Sequence, residues 1–230
     1  MTAPRLSIII PTLNAASALP RTLASFDAAR ANGLIGEIIV VDGGSTDGTP
    51  EIARAACCAV IEMAPGRGAQ LATGAAAARE PFLLFLHADT VLDDGWAEAV
   101  ATFMSPPGEQ ERAGAFRFRF DAKGLAPAIV AFGVRLRCAL FKLPFGDQGL
   151  LISRTFYDAL GGFRPMPLME DVDLVKRIGR SRMKILRAAA ITSADRYEKT
   201  GYVRRVLRNW RCLWLYHRGV SPEDIARIYE

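Results

Sequence analysis

The chain has only four cysteines, Cys57, Cys58, Cys138 and Cys212, and none stands in CxxC spacing. That excludes a disulfide scaffold and a cysteine-based zinc site, and leaves ordinary thiols in a reducing, cytoplasmic compartment. No run of about 18 apolar residues occurs, so no spanning helix is expected. The run Leu6 to Ile10 is too short for a secretory signal and lacks a cleavage site. No internal repeat, linker or low-complexity tract divides the chain. No GxSxG string or Cys–His pairing offers a protein nucleophile, and no zinc spacing or RNP-like string marks a nucleic-acid module.

Half of the 230 residues are hydrophobic and 23% are charged, which suits one sizeable globular core. The net charge is +5, and the excess lies late. Between Lys176 and Arg218 thirteen Lys and Arg face only Asp195 and Glu198. Such a block suits an anionic partner or a solvated helical face.

The first third alternates strand and helix. LSIII (Leu6 to Ile10) and EIIVV (Glu37 to Val41) are short, β-branched and continuous, as strands buried on both faces are. Pro11 is expected to stop the first strand. A helix is expected over Leu19 to Arg30, and another over Thr49 to Ala56 with Thr49 as N-cap and Pro50 at its first position. Cys58 to Met63 is a third strand, Arg67 to Arg79 a helix, and Pro81 to His87 a fourth strand. This order predicts an α/β fold with a mostly parallel central sheet flanked by helices. Such sheets bind ligands beyond the carboxyl ends of their strands. Pro11, Thr12 and Asn14 fall there after strand one, Asp42, Gly43, Gly44, Ser45 and Asp47 after strand two, and Ala88, Asp89 and Thr90 after strand four.

The second half is less regular. Gly114 to Phe120 alternates as a half-exposed strand does, and Gly149 to Ser153 is a further strand. Leu125 to Leu143, Glu170 to Ile178 and Val203 to Tyr216 are helices. The last mixes Arg204, Arg205, Arg208 and Arg211 with Val206, Leu207, Trp210, Leu213, Trp214 and Leu215. It suits either a membrane surface or a helix that packs its Trp/Leu face on the domain, and packing is the expectation.

Four strings, SIIIPTLN (Ser7 to Asn14), VVDGGSTDGT (Val40 to Thr49), LFLHADT (Leu84 to Thr90) and GGFRPMPLMEDVDL (Gly161 to Leu174), stand in an order and spacing that resemble glycosyltransferase family two. PFGDQGLLISR (Pro144 to Arg154) and SPEDIARIY (Ser221 to Tyr229) look like a small bacterial subgroup of it. The resemblance implies a GT-A, Rossmann-like, nucleotide-diphospho-sugar transferase fold in one domain over residues 1–230. Residues 1–90 form its nucleotide-binding half, 91–200 its acceptor half and 201–230 a basic, aromatic helical tail. It implies inverting, hexosyltransferase-like transfer from a nucleotide-sugar donor, expected to be a UDP-sugar, to an acceptor hydroxyl.

On that resemblance Asp42 accepts from the uracil N–H, unless it merely caps its turn. Pro11, Thr12, Asn14 and Gly44 line the same slot, and Asp47 is a turn or capping residue. In GRGAQ (Gly66 to Gln70) glycines let backbone approach the ligand and Arg67 pairs with phosphate oxygens. The family's Asp-x-Asp string reads HADT here, so Asp89 is the expected ligand for Mn²⁺ or Mg²⁺. His87 binds the metal, contacts the donor beside Ala88, or packs.

Glu170, Asp171 and Asp173 either suit a helix N-terminus or carry the family's catalytic carboxylate. Asp171 is then the general base, with Glu170 next. Asp147 and Gln148 touch the acceptor or form a turn. Arg196, Tyr197, Glu198 and Lys199 are expected to fold over the diphosphate. The acceptor class stays open among lipid, glycan and small molecule, with peripheral contact at the inner face of a membrane and a homodimer both allowed.

Two rival readings are a sugar-nucleotide nucleotidyltransferase and a nucleic-acid-binding module. PTLNAAS (Pro11 to Ser17) lacks the Gly-rich loop of the first. The second leaves half the chain unexplained, so no nucleic-acid partner is expected.

Overall fold

The computed structural model describes residues 5–105, 111–122, 124–141 and 143–229. In chain order the first half runs β1 (Leu6–Thr12), α1 (Leu19–Ala24), α2 (Asp27–Ala31), β2 (Ile35–Asp42), α3 (Thr49–Ala55), β3 (Ala59–Glu62), α4 (Arg67–Ala77), β4 (Phe82–Phe85), β5 (Thr90–Leu92) and α5 (Trp96–Met104). There follow β6 (Ala113–Phe120), α6 (Leu125–Phe141), β7 (Leu150–Ser153), α7 (Arg154–Ala159), α8 (Glu170–Ile178), β8 (Met183–Thr192), α9 (Asp195–Thr200), α10 (Tyr202–His217) and α11 (Pro222–Tyr229). One eight-stranded sheet has the order β3-β2-β1-β4-β7-β6-β8-β5. β1 to β4 are parallel, as the strand–helix alternation requires, whereas β7 runs antiparallel to both β4 and β6.

The continuous apolar runs are explained by burial on both faces of the sheet. Ile8 and Ile10 of β1 join a core cluster that includes Phe26, Trp96 and Phe103. Ile9, between them, joins the opposite cluster with Val41, Leu71 and Phe85. Alternate side chains of one strand thus feed two cores.

Three local expectations change. Pro11 does not stop β1, because it pairs in register with Val41. β4 pairs β1 only as far as Ile9, so Pro11 has a strand on one side, an edge-like position where Pro is tolerated. The single helix expected over Leu19 to Arg30 is two. The Ser25 hydroxyl donates to the Thr22 carbonyl at 2.6 Å, and the Trp96 indole N–H takes the Ser25 carbonyl at 3.0 Å, so the ladder breaks there. Thr49 is not the N-cap of α3. Gly48, at φ +81°, holds that position, and the Thr49 hydroxyl donates to Asp47 Oδ1 at 2.5 Å.

The Trp/Leu set of α10 divides: Leu213 and Leu215 pack, while Leu207, Trp210 and Trp214 stay exposed. Trp210 is 63% exposed and Trp214 54%, and Cys212 is the buried residue of the helix. What packs is the other side of the helix, through Cys212, Leu213, Leu215 and Tyr216.

Candidate active site

The carboxyl ends of β1 and β2 are tied together. Asp42 Oδ1 accepts from the Thr12 hydroxyl at 2.8 Å and the Ser45 hydroxyl at 2.6 Å. Its Oδ2 accepts from the Gly44 and Ser45 amides at 3.0 and 2.7 Å. Burial works to raise this carboxyl, but the donors from Ser45, Thr12 and Gly44 outweigh it and hold Asp42 below the usual carboxylate range. Asp42 is 1% exposed and its four lone-pair positions are used internally. These bonds give Asp42 the turn role, organising the loop that follows β2.

Asn14 (φ +49°) belongs to the same knot. Its Oδ1 accepts from the Thr46 amide at 2.9 Å, and its own amide donates to Ser45 Oγ at 2.8 Å. Asp47 caps as expected, accepting from Thr49 and from the Ala16 amide. Gln70 donates to the carbonyls of Thr12 and Val41 at 2.9 and 2.8 Å, fastening α4 under the loop.

Of the two glycines of GRGAQ, Gly68 lets α4 approach the chain: a Cβ there would lie 2.4 Å from the Arg164 carbonyl oxygen. The first turn of α4 is thus pressed against the GGFRP segment, which brings Arg67 onto Glu170.

A cleft of about 220 Å³ opens beyond β4, at the first turn of α8. It gathers Arg67, His87, Asp89, Gly146, Asp147 and Asp171 from four separated segments. Met169, at φ +69°, turns the chain sharply into α8, so Glu170 and Asp171 both sit in the helix's first turn, where carboxylates are favoured. They then diverge. Glu170 is 1% exposed and ion-paired to Arg67, with its Oε2 buried and lacking a hydrogen-bond partner among the described residues. Burial pushes its carboxyl up, with Arg67 opposing. Asp171 is half-buried on the cleft wall, its Oδ2 accepting from the Gly146 amide at 2.8 Å and its Oδ1 from the Val172 amide at 2.7 Å. Asp173 faces elsewhere, held by Arg164 and Arg177.

His87 and Asp171 meet at Gly146. A Cβ on that glycine would lie 2.8 Å from His87 Nε2 and 3.3 Å from Asp171 Oδ2. Next to it, Asp147 has a buried Oδ1 with no hydrogen-bond partner among the described residues. Burial, reinforced by Asp171 and Asp89 and opposed by Arg137, pushes this carboxyl up to about 6.

Gln148, expected at the acceptor with Asp147, turns away from this cleft. Its Nε2 donates to the Phe116 carbonyl at 2.8 Å and its Oε1 accepts from Cys138 Sγ at 3.2 Å, a packing role. Ala88 is likewise buried in the core, its carbonyl taking the Thr22 hydroxyl at 2.7 Å. Thr12, Asn14, Asp42 and Gly44 do not line the cleft but form the neighbouring loop knot.

Of the segment expected to fold over the diphosphate, Tyr197 lines the cleft, while the side chains of Arg196 and Lys199 lie outside the described residues. Arg205, Asn209 and Tyr229 also line it and were missed. The sequence signal for Arg205 and Asn209 was the helical period of α10, which places them and Cys212 on one face, whereas Tyr229 ends α11 and the SPEDIARIY string.

Residues 7–155 match Glycosyl transferase family 2. The chain belongs to this family. A PGL/p-HBAD biosynthesis glycosyltransferase of Mycobacterium tuberculosis is 40% identical over 124 residues, covering 48% of this chain and 44% of that protein. The chain therefore spans under half the length of this curated relative. In fold it is similar to glucosyl-3-phosphoglycerate synthase of M. tuberculosis, solved with Mn²⁺, UDP and glucosyl-3-phosphoglycerate (TM-score 0.58, 21% identity, 83% of this chain and 70% of that one). S. aureus TarS 1-349 is also similar (TM-score 0.64, 18% identity, 84% and 62%). These likenesses establish the GT-A fold of this family 2 chain.

Proposed function

We propose that the protein is an inverting glycosyltransferase that moves a sugar from a nucleoside diphosphate donor, UDP being the expected nucleotide, to an acceptor hydroxyl. The observation that carries this reading is Asp171. Two backbone amides orient its carboxylate, and it faces the cleft that also holds Asp89, His87 and Arg67.

A carboxylate so held takes the proton of an acceptor hydroxyl as that oxygen attacks the anomeric carbon. The bond from that carbon to the diphosphate oxygen breaks, and the nucleoside diphosphate leaves with the electron pair. Glu170, sequestered by Arg67, is the lesser candidate base and fixes the cationic wall. Asp147, with its spare Oδ1, is placed to accept from an acceptor hydroxyl and orient it. That the fold neighbour was solved with UDP supports the choice of nucleotide.

Among the described residues no group of three or more His, Cys, Asp or Glu is arranged to hold a metal by itself. Asp89 and His87 on one cleft wall nonetheless fit a divalent cation shared with substrate phosphates, Mn²⁺ accepting the imidazole more readily than Mg²⁺. Such a cation stabilises charge on a departing diphosphate.

The test is thermal stabilisation by UDP with and without Mn²⁺, since a ligand that binds the folded state raises its stability by mass action. UDP should outperform GDP, ADP and CDP. Asp89→Ala should abolish the metal-dependent part, and His87→Ala should reduce it less. A purine preference, or parental binding by both variants, overturns the assignment.

A further inference from the structure

An unexplained apolar surface lies on α6 and α10, which pack against each other. On α6, Leu125, Ile129, Phe132, Leu136 and Leu140 are all exposed, at intervals of three and four residues. On α10, Val203, Leu207, Trp210 and Trp214 repeat that spacing and are also exposed. Each set is one stripe of a helix. An apolar surface of this extent is more than scattered exposed leucines, and marks an interaction site.

The surrounding charge selects the partner. Neither helix contains a single Asp or Glu, while α6 carries Arg135 and Arg137 and α10 carries Arg204, Arg205, Arg208 and Arg211. At 3.6 residues per turn, Arg204, Arg211 and Arg218 flank the α10 stripe, and all three are exposed. The Arg218 guanidinium lies 4.7 Å from the centre of the Trp214 ring. Exposed Trp and Leu bordered by Arg is the composition of a helix lying in a lipid–water interface. A second copy of the chain would bring together two helix pairs that carry exposed arginines and no carboxylate of their own, which like-charge repulsion opposes.

We propose that the α6–α10 face docks on an anionic phospholipid bilayer, the apolar stripes entering the acyl boundary and the flanking arginines meeting the headgroups. The helices lie on the bilayer rather than cross it: no described helix is long and apolar enough to span a membrane. The opposite face of α10, through Arg205, Asn209 and Cys212, lines the candidate active-site cleft. Docking therefore holds that cleft one helix away from the lipid. The proposal stands on the surface alone and does not depend on the reaction assigned above.

The chain carries an internal reporter. Of its three tryptophans, Trp96 is buried in the core while Trp210 and Trp214 lie on the docking face. The experiment mixes the intact protein with vesicles of phosphatidylcholine plus phosphatidylglycerol, or of phosphatidylcholine alone. Co-sedimentation and tryptophan emission are followed over a range of salt.

The expected result is a blue shift and at least about tenfold stronger binding to the anionic vesicles, weakening with salt. The double variant Phe132→Glu/Leu207→Glu should lose both signals. Exposed positions tolerate substitution. Should that variant not fold, Arg204→Gln/Arg211→Gln/Arg218→Gln serves instead, and should lose the preference for anionic lipid and its salt dependence.

The proposal is overturned if the parent neither sediments with nor shifts on anionic vesicles, or if the variants bind as the parent does. It is equally overturned if sedimentation shows a dimer that Phe132→Glu/Leu207→Glu dissociates, since a second copy then covers the face.

Discussion

The Gly146 amide donates to Asp171 Oδ2 at 2.8 Å, joining two segments that lie 25 residues apart in the chain. The same glycine leaves room for His87, whose Nε2 would be 2.8 Å from any Cβ placed there. One residue without a side chain thus sets the position of the candidate base and of the histidine opposite it.

Gly146→Ala is expected to displace His87, because a contact that short cannot be held. The displacement is local, so the melting temperature should change little. Misplacement of reacting groups by about an ångström can cost on the order of 10²-fold in rate. We expect turnover to fall by roughly 10- to 100-fold on that basis. Steady-state kinetics beside a melting curve checks this; parental turnover would mean that the His87–Asp171 spacing is unimportant.

Asp171→Asn and Glu170→Gln should separate. Asn at 171 gives up one of the two backbone N–H bonds but keeps the shape and cannot take a proton at neutral pH, so donor binding should survive while transfer falls by about 10² to 10⁴. Gln at 170 removes the charged partner of Arg67. It should cost about 1–3 kcal/mol of stability, as loss of a charged hydrogen bond does, and perturb donor binding through Arg67. Calorimetry with UDP and single-turnover transfer distinguish the two. If Asp171→Asn stays active and Glu170→Gln folds normally yet is dead, the two roles are exchanged.

Much of this was legible in the sequence, for identifiable reasons. LSIII and EIIVV announce a parallel sheet because strands buried on both faces need no polar alternation, and both are where they were expected. The sequence also marked Arg67, His87, Asp89, Asp147 and Asp171, which the fold brings to one cleft. The strand β8 was not legible: its MKILRAAAIT contains three consecutive alanines, which are depleted in strands, and it forms because β6 and β5 flank it. Gln148 and Asp147, adjacent in sequence, were read alike. Their side chains part because Gln148 finds Phe116 and Cys138 in the core, a tertiary fact that spacing cannot carry.

Asp42→Asn tests whether this residue builds its loop or reads the base. An amide offers one acceptor oxygen where the carboxylate offers two, so some of the donors from Thr12, Gly44 and Ser45 are left unmatched. A loss of about 1–3 kcal/mol is expected, with all nucleotides weakened in parallel. A change in preference between UDP and CDP, at unchanged stability, would mark Asp42 as the base-reading group.

Asp147 supplies a pH test whose sign is fixed by its environment. Its carboxyl is pushed from 3.8 to about 6, chiefly by burial. Between those values the folded chain holds a proton that the unfolded chain has released, so this group makes stability fall as pH rises through the window. Below about pH 4 it is neutral in both states and costs nothing; above about pH 6 the folded state carries the buried charge in full. Asp147→Asn has no such proton to lose. Its stability relative to the parent should therefore climb from pH 4 to pH 6 and level off beyond, whatever fixed offset the amide introduces. Urea midpoints for both proteins across that range measure the difference, in which the titration of groups remote from Asp147 cancels. A difference that stays flat would mean that Asp147 is hydrated and ordinary in solution. It would then lose its place as the group that orients the acceptor from a desolvated wall of the cleft.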